Sequence, residues 1–188
     1  NKEINKIGKV PQFSFTALSH SELGSKNAMM DFDASNKTSG SRFVVLKNEL
    51  ALLERAISNF MLDTHTKEFG YTEVSPPLIV NDVTMFGTGQ LPKFESDQFE
   101  IKLEEQKSRK FLIPTAEVIL TNLVRESFLS VKDIPLRMVA STACFRKEAG
   151  SHGKDTKGMI RQHQFYKVEL VSIVDPKDKI KELDRMTN

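Results

Sequence analysis

Cysteine is almost missing from this chain. One residue in 188, Cys144, is a thiol, which excludes a disulfide framework and any cysteine-rich zinc site. A reducing, cytoplasmic setting is the simplest expectation. Long apolar runs are missing too: no stretch approaches the ~20 residues that span a bilayer, so no membrane partner is expected. The opening NKEINKIGKV has no apolar centre of the kind a signal peptide needs. Neither sign of charge dominates, with 27 Lys and Arg against 25 Asp and Glu. A net charge of +2 does not announce a nucleic-acid binder, so any basic function must come from local clustering. Repeats, low-complexity tracts, G-x-G-x-x-G and the P-loop are all absent. What remains, 39% apolar and 28% charged residues, describes one ordinary globular domain with a real core.

Local patterns divide the chain into short elements. QFSFTAL (12–18) alternates like a strand. SHSELGSKNAMM (19–30) reads as one or two helical turns, capped by Ser19 or Ser21 and broken at Gly24. DFDASNKTSGS (31–41) reads as a polar loop, and RFVVL (42–46) as a strand. Asn48 is placed to cap a helix, along which Leu50, Leu53, Ile57, Phe60 and Met61 recur at helical steps up to Gly70. YTEVSPPLIV (71–80) is strand-like, but Pro76-Pro77 confines it to an edge or an interface. FGTGQLPKF (86–94) reads as a loop. QFEIKL, the charged turn EEQKSRK and FLIP together predict a hairpin over 98–114. TAEVILTNLVRESF (115–128) predicts a helix capped by Thr115. LRMVASTACF (136–145) and QFYKVELVSIV (164–174) predict strands, and Asp175-Pro176 opens a last helix. Hairpins dominate, so the expected class is α+β: an antiparallel β-sheet flanked by helices rather than a doubly wound parallel sheet.

The densest chemistry lies in FRKEAGSHGKDTKGMIRQHQFYKVE (145–169). Strand side chains alternate between faces, so Arg146 and Glu148 share one parity, and Phe165, Lys167 and Glu169 share another. If the two flanking strands pair in matching register, these groups look into one space. Arginine offers bidentate donors for phosphate or carboxylate. Phe165 offers a flat face for a base, and two carboxylates suit an ammonium or a hydroxyl. That content describes a nucleotide together with an amine. An ion pair between Arg146 and Glu148, with Phe165 in the core, fits the same spacing. His152 and His163 are too isolated to be metal ligands. The glycine-broken middle is either a loop that closes over phosphates or a plain hairpin tip.

FLIPTAEVILTNLVR followed by STACFRKEAGSHGKDTKGMIRQHQFYKVELV closely resembles the seryl-tRNA synthetases, class II aminoacyl-tRNA synthetases. SELGSKNAMMDFDASNKTSGSRFVVLK and GYTEVSPPLIVNDVTMFGTGQLPKF resemble the preceding core of the same family. The resemblance implies a homodimeric enzyme that uses ATP with Mg2+ to convert L-serine to seryl-adenylate, then loads the 3′ end of tRNA(Ser). GYTEVSPPLIV resembles motif 1, with Pro77 at the dimer interface, and CFRKE to QFYKVE resembles motif 2. By position, Arg146 would hold the α-phosphate and the serine carboxylate. Glu148 would accept from the adenine amino group and Phe165 would stack on the ring, with Lys147, Arg161 and Gln162 against the nucleotide. Thr115, Ala116 and Glu117 match the family's TAE motif, and Glu169 a further serine-binding carboxylate. Glu117 and Glu169 then divide the ammonium and hydroxyl of serine. Lys154 and Lys157 would meet the tRNA acceptor end.

Three family features do not appear: the arginine-rich motif 3, the later acidic segment that helps bind magnesium, and the coiled-coil arm that grips tRNA. Together with an initial Asn in place of Met, this predicts a partial catalytic domain over 1–188, itself inactive or nearly so. Another class II synthetase, an amino acid:carrier-protein ligase and a non-catalytic paralogue are the competing readings. Retention of Arg146, Glu148, Phe165, Glu117 and Glu169 together argues against the last.

Overall fold

A computed structural model describes residues 3, 5–102, 108–149 and 158–187. Its helices are α1 (His20–Lys26), α2 (Phe32–Thr38), α3 (Asn48–Lys67), α4 (Asp82–Gly87), α5 (Glu117–Asn122) and α6 (Lys179–Thr187). Its strands are β1 (Met30–Asp31), β2 (Val45–Leu46), β3 (Thr72–Glu73), β4 (Ile79–Asn81), β5 (Glu100–Ile101), β6 (Lys110–Leu112), β7 (Leu136–Phe145) and β8 (Gln164–Ile173).

The β7–β8 pair is the backbone of the fold. It is antiparallel over ten residues, from Leu136 opposite Ile173 to Phe145 opposite Gln164. Directly opposed residues share a face, so the even-numbered residues of β7 lie with the odd-numbered residues of β8. Toward the Leu136 end that face is apolar: Ala116 and Leu120, next to and on α5, bury against Met138 and Ala140. The other face carries α3, where the Ser58 and Ser141 hydroxyls meet at 2.7 Å, and α6. A second sheet, β4-β6-β5, is antiparallel, and Val80, Met85, Phe111, Ile113 and Val118 make its core. It contains the hairpin predicted over 98–114, whose turn lies partly outside the described residues.

The sheet is not wholly antiparallel. β3 runs parallel to β7, with Thr72 opposite Met138 and Glu73 opposite Val139. The long connection between them allows this, since parallel neighbours need a crossover.

Several local expectations are corrected. QFSFTAL is not a strand: Phe13 and Phe15 are 57% and 66% exposed, so alternation without a face to bury forms no ladder. Residues 31–41 are not a loop but contain α2. Asp31 caps it by accepting from Ala34 N at 2.8 Å, and buried Ser35 satisfies its hydroxyl on the Phe32 and Phe43 carbonyls. Gly24 does not break α1; it sits within the helix, at a point where a Cβ would strike Met30. Asn48 does not cap α3; it is the first helical residue and takes φ 51°. Helix α5 ends at Asn122 rather than near 128, where the Asn122 amide turns back to Val118 O (2.8 Å) and across to Thr84 O (3.2 Å).

Helix α6 is pinned by one carboxylate. Glu182 accepts a bidentate pair from Arg137 (2.7 and 2.8 Å), a bond from Arg185 (2.7 Å) and another from Ser172 (2.6 Å). Arg137 and Ser172 are opposite each other in the ladder, so Glu182 ties both strands to the helix. The two guanidinium groups, aided by the Ser172 hydroxyl, hold its carboxyl far below the ordinary 4.5. A carboxyl depressed by folding stabilises above its unfolded pKa and loses that contribution as pH falls. Glu182→Gln is therefore expected to cost about 2 kcal/mol at pH 7, below the figure for fully buried pairs because both arginines are partly exposed. Urea denaturation at pH 7 and pH 3 should show the difference from the parent chain shrinking at the lower pH. An unchanged difference would disprove the linkage.

Candidate functional site

The register required for a shared site is present. Phe165 lies opposite Cys144, Lys167 opposite Thr142 and Glu169 opposite Ala140. Arg146 continues the same row one step beyond β7, with its N–H donating to His163 O at 3.0 Å. Ala140, Thr142 and Cys144 are small and buried, so they form a floor beneath larger polar neighbours. Burial pushes the Cys144 thiol up, which keeps that floor uncharged.

At one end of the row the Arg146 guanidinium lies 5.2 Å from the Phe165 ring centroid and donates from Nε to Pro114 O at 3.1 Å. Pro114 ends the strand-like FLIP run, so the hairpin sheet fixes the direction of Arg146. At the other end, Thr115 Oγ1 donates to Glu169 at 2.5 Å. Lys167 Nζ reaches Thr115 Oγ1 at 2.8 Å and pairs with Glu169. Thr115 is 3% exposed and Ala116 is fully buried. Glu117 is exposed at the start of α5, and its backbone N–H donates to Thr115 Oγ1 at 3.2 Å. The expected capping by Thr115 survives only as this one bond.

Glu148 leaves the row. Its φ of 52° breaks strand parity, and its carboxylate accepts from Arg161 Nη1 at 3.1 Å. Gln162, next in the chain to Arg161, is buried. The Lys147 ammonium lies 5.8 Å from the Phe99 ring centroid. Arg146, Phe165, Thr115 and Glu169 thus converge, while Glu148 and Arg161 form a separate corner nearby. Pro77 is exposed between β3 and β4, far along the chain from both. Lys154, Lys157 and His152 lie outside the described residues.

Groups that their place in the sequence does not single out complete the frame. Asp97 accepts from Lys147 N through its carbonyl (2.8 Å) and from Ala149 N through its carboxylate (2.7 Å). These bonds hold the turn after β7 to the segment that leads into β5. His163 sets Nδ1 at 3.0 Å from Arg146 O, and its ring contacts Phe43 and Phe99. Only Lys167 had a signal in the sequence, its even spacing from Phe165 and Glu169. Among the described residues no group of three or more His, Cys, Asp or Glu could hold a metal ion, and no helix is long and apolar enough to cross a membrane.

Comparison with known proteins identifies what the chain as a whole is similar to. Residues 98–188 match the tRNA synthetase class II core domain (G, H, P, S and T). A serine–tRNA ligase of Pelagibacter ubique is 65% identical over 188 residues, covering 100% of this chain and 45% of the relative. One from Bacillus licheniformis is 53% identical, covering 100% and 43%. The crystal structure of seryl-tRNA synthetase from Pyrococcus horikoshii complexed with ATP superposes with a TM-score of 0.84 at 37% identity, over 93% of this chain and 38% of that one. The cytoplasmic serine–tRNA ligase of Naegleria fowleri in complex with AMP gives 0.89 at 27%, over 98% and 43%. The chain spans less than half the length of these relatives.

Proposed function

Because the chain belongs to the class II tRNA synthetases and aligns along its length with serine–tRNA ligases, we propose that it supplies the ATP and serine half-sites of such a ligase. ATP and L-serine give seryl-adenylate and pyrophosphate, and the seryl group then passes to the 3′ end of tRNA(Ser). The observation that carries this reading is the single row from Arg146 over Phe165 to the Thr115–Glu169 pair.

Adenine stacks on Phe165, with its amino group donating to Glu148. Lys147, Arg161 and Gln162 border the nucleotide. Arg146 reaches the α-phosphate and the serine carboxylate together, which brings nucleophile and electrophile into line and offsets the charge gathering on the phosphate oxygens. At the far end Thr115, Ala116, Glu117 and Glu169 form the amino-acid pocket, with the two carboxylates dividing the ammonium and hydroxyl of serine. A pocket that hydrogen-bonds that hydroxyl rejects alanine, because alanine leaves a buried acceptor unpaired. ATP enters as its magnesium complex; the described residues offer the metal no acidic cluster, so no step is assigned to it. In the full-length ligase Lys154 and Lys157 are the expected contacts for the tRNA acceptor end. The setting is the cytoplasm.

The test is serine-dependent ATP–pyrophosphate exchange by a chimera in which these 188 residues replace the matching stretch of a full-length relative. Exchange with serine and not with threonine or proline is expected; a preference for either of the latter would refute the assignment.

We also infer a homodimer built on Pro77 and the α3 face. Helix α3 buries none of its residues, and Phe60 and Leu53 are 70% and 50% exposed. Leu78 and Ile79, beside Pro77, are exposed as well. An apolar stripe of this extent on a charged chain is the mark of an interface. Sedimentation of the chain should give a dimer, and Phe60→Glu should shift it toward monomer. A parent chain that is monomeric at high concentration would end this inference.

A further inference from the structure

We propose that His20 is a positioning residue for nucleotide binding. It holds the arm, residues 158–163, that brings Arg161 and Gln162 to the site. The proposal rests on the ATP reading above.

The β7–β8 ladder ends where Phe145 faces Gln164, with one more bond from Arg146 N to His163 O. Residues between Gly158 and Gln162 lie beyond it, and their backbone groups need partners from elsewhere. The amino-terminal layer supplies them. Met159 N donates to His20 Nε2 at 3.0 Å, and His163 N donates to Arg42 O at 3.0 Å. A ring nitrogen that accepts an N–H bears no proton, so this bond requires the tautomer with its hydrogen on Nδ1.

Gly158 makes the contact possible. It takes φ +82°, and a Cβ on it would run into His20 Nε2 and Cε1. Glycine is required twice over, for the backbone angle and for the approach. His20 is itself placed by its neighbours: it is the first residue of α1, whose cap Ser19 exchanges bonds with Glu22. The imidazole therefore reaches the arm from a fixed helix end, across 139 residues of sequence.

Arg161 lies two residues beyond Met159 and pairs with Glu148 at 3.1 Å. Without the His20 bond, the arm must be ordered when nucleotide arrives, and that cost falls on ATP affinity. The serine end of the row, at Thr115 and Glu169, is held by other bonds.

Calorimetric titration of the full-length chimera described above with ATP, and separately with L-serine, tests this. His20→Ala should weaken ATP binding about tenfold, a change of about 1.4 kcal/mol, and leave serine binding within about twofold. His20→Gln retains an acceptor oxygen and should recover most of the loss. Gly158→Ala should reproduce the His20→Ala effect by pushing the ring away. ATP binding by His20→Ala equal to that of the parent overturns the proposal alone. Equal weakening of both ligands with a lowered melting temperature also overturns it, since a general structural role acts in that way. A parent chimera that binds serine but no ATP overturns the nucleotide reading and this proposal with it.

Discussion

Arg146→Ala is expected to slow serine-dependent ATP–pyrophosphate exchange by about a thousandfold, mostly in kcat, the upper end for loss of one preorganised charge at a reacting centre. In the proposed reaction one guanidinium serves two substrates: the phosphate under attack and the carboxylate that attacks it. The residue is well placed for this because three neighbours already fix it. Its N–H is on His163 O, its Nε is on Pro114 O, and its guanidinium carbon lies 5.2 Å from the Phe165 ring centroid. Arg146→Lys should recover little, since an ammonium cannot reproduce the planar fork or the stacking. Measured in the chimera, a loss smaller than about tenfold would remove Arg146 from the chemistry and leave it a strut between two sheets.

Glu169→Gln is expected to lower kcat/KM for serine by about a hundredfold while KM for ATP stays within about twofold, as befits removal of a charge-assisted hydrogen bond at one end of a site. The carboxylate accepts from Thr115 and pairs with Lys167, so the substitution weakens the pocket in two ways. It removes the negative charge that serine meets, and it leaves the Lys167 ammonium without its counter-charge beside Thr115. Steady-state exchange with each substrate varied separately distinguishes this from simple damage. If the two KM values rise together, Glu169 is a structural partner of Lys167 and does not bind serine.

Much of this site was legible in the sequence because strand parity is a local rule. The run 136–145 coincides with β7, and 164–174 overshoots β8 by one residue; even spacing put Phe165, Lys167 and Glu169 on one face, and the observed register set them beside Arg146. Where φ turned positive at Glu148 the rule stopped, and spacing gave no warning of it. Polar composition concealed α2, since a single Asp31 cap and a buried Ser35 outweighed it. Asp97 and His20 could not be read at all. Their partners lie 52 and 139 residues away, and pairings across such distances leave no periodicity. The family motifs supplied the roles; periodicity and parity supplied only the places.

Cys144 is the chain's sole thiol, fully buried and held in its protonated form under the row of polar groups. Its sulfur is therefore out of reach of alkylating and disulfide-exchange reagents while the β7–β8 face is closed. Any modification must pass through an opening of that face, so the rate of thiol labelling is a clock for the opening. The protein carries its own point of attack at the centre of the site, with no engineered cysteine required.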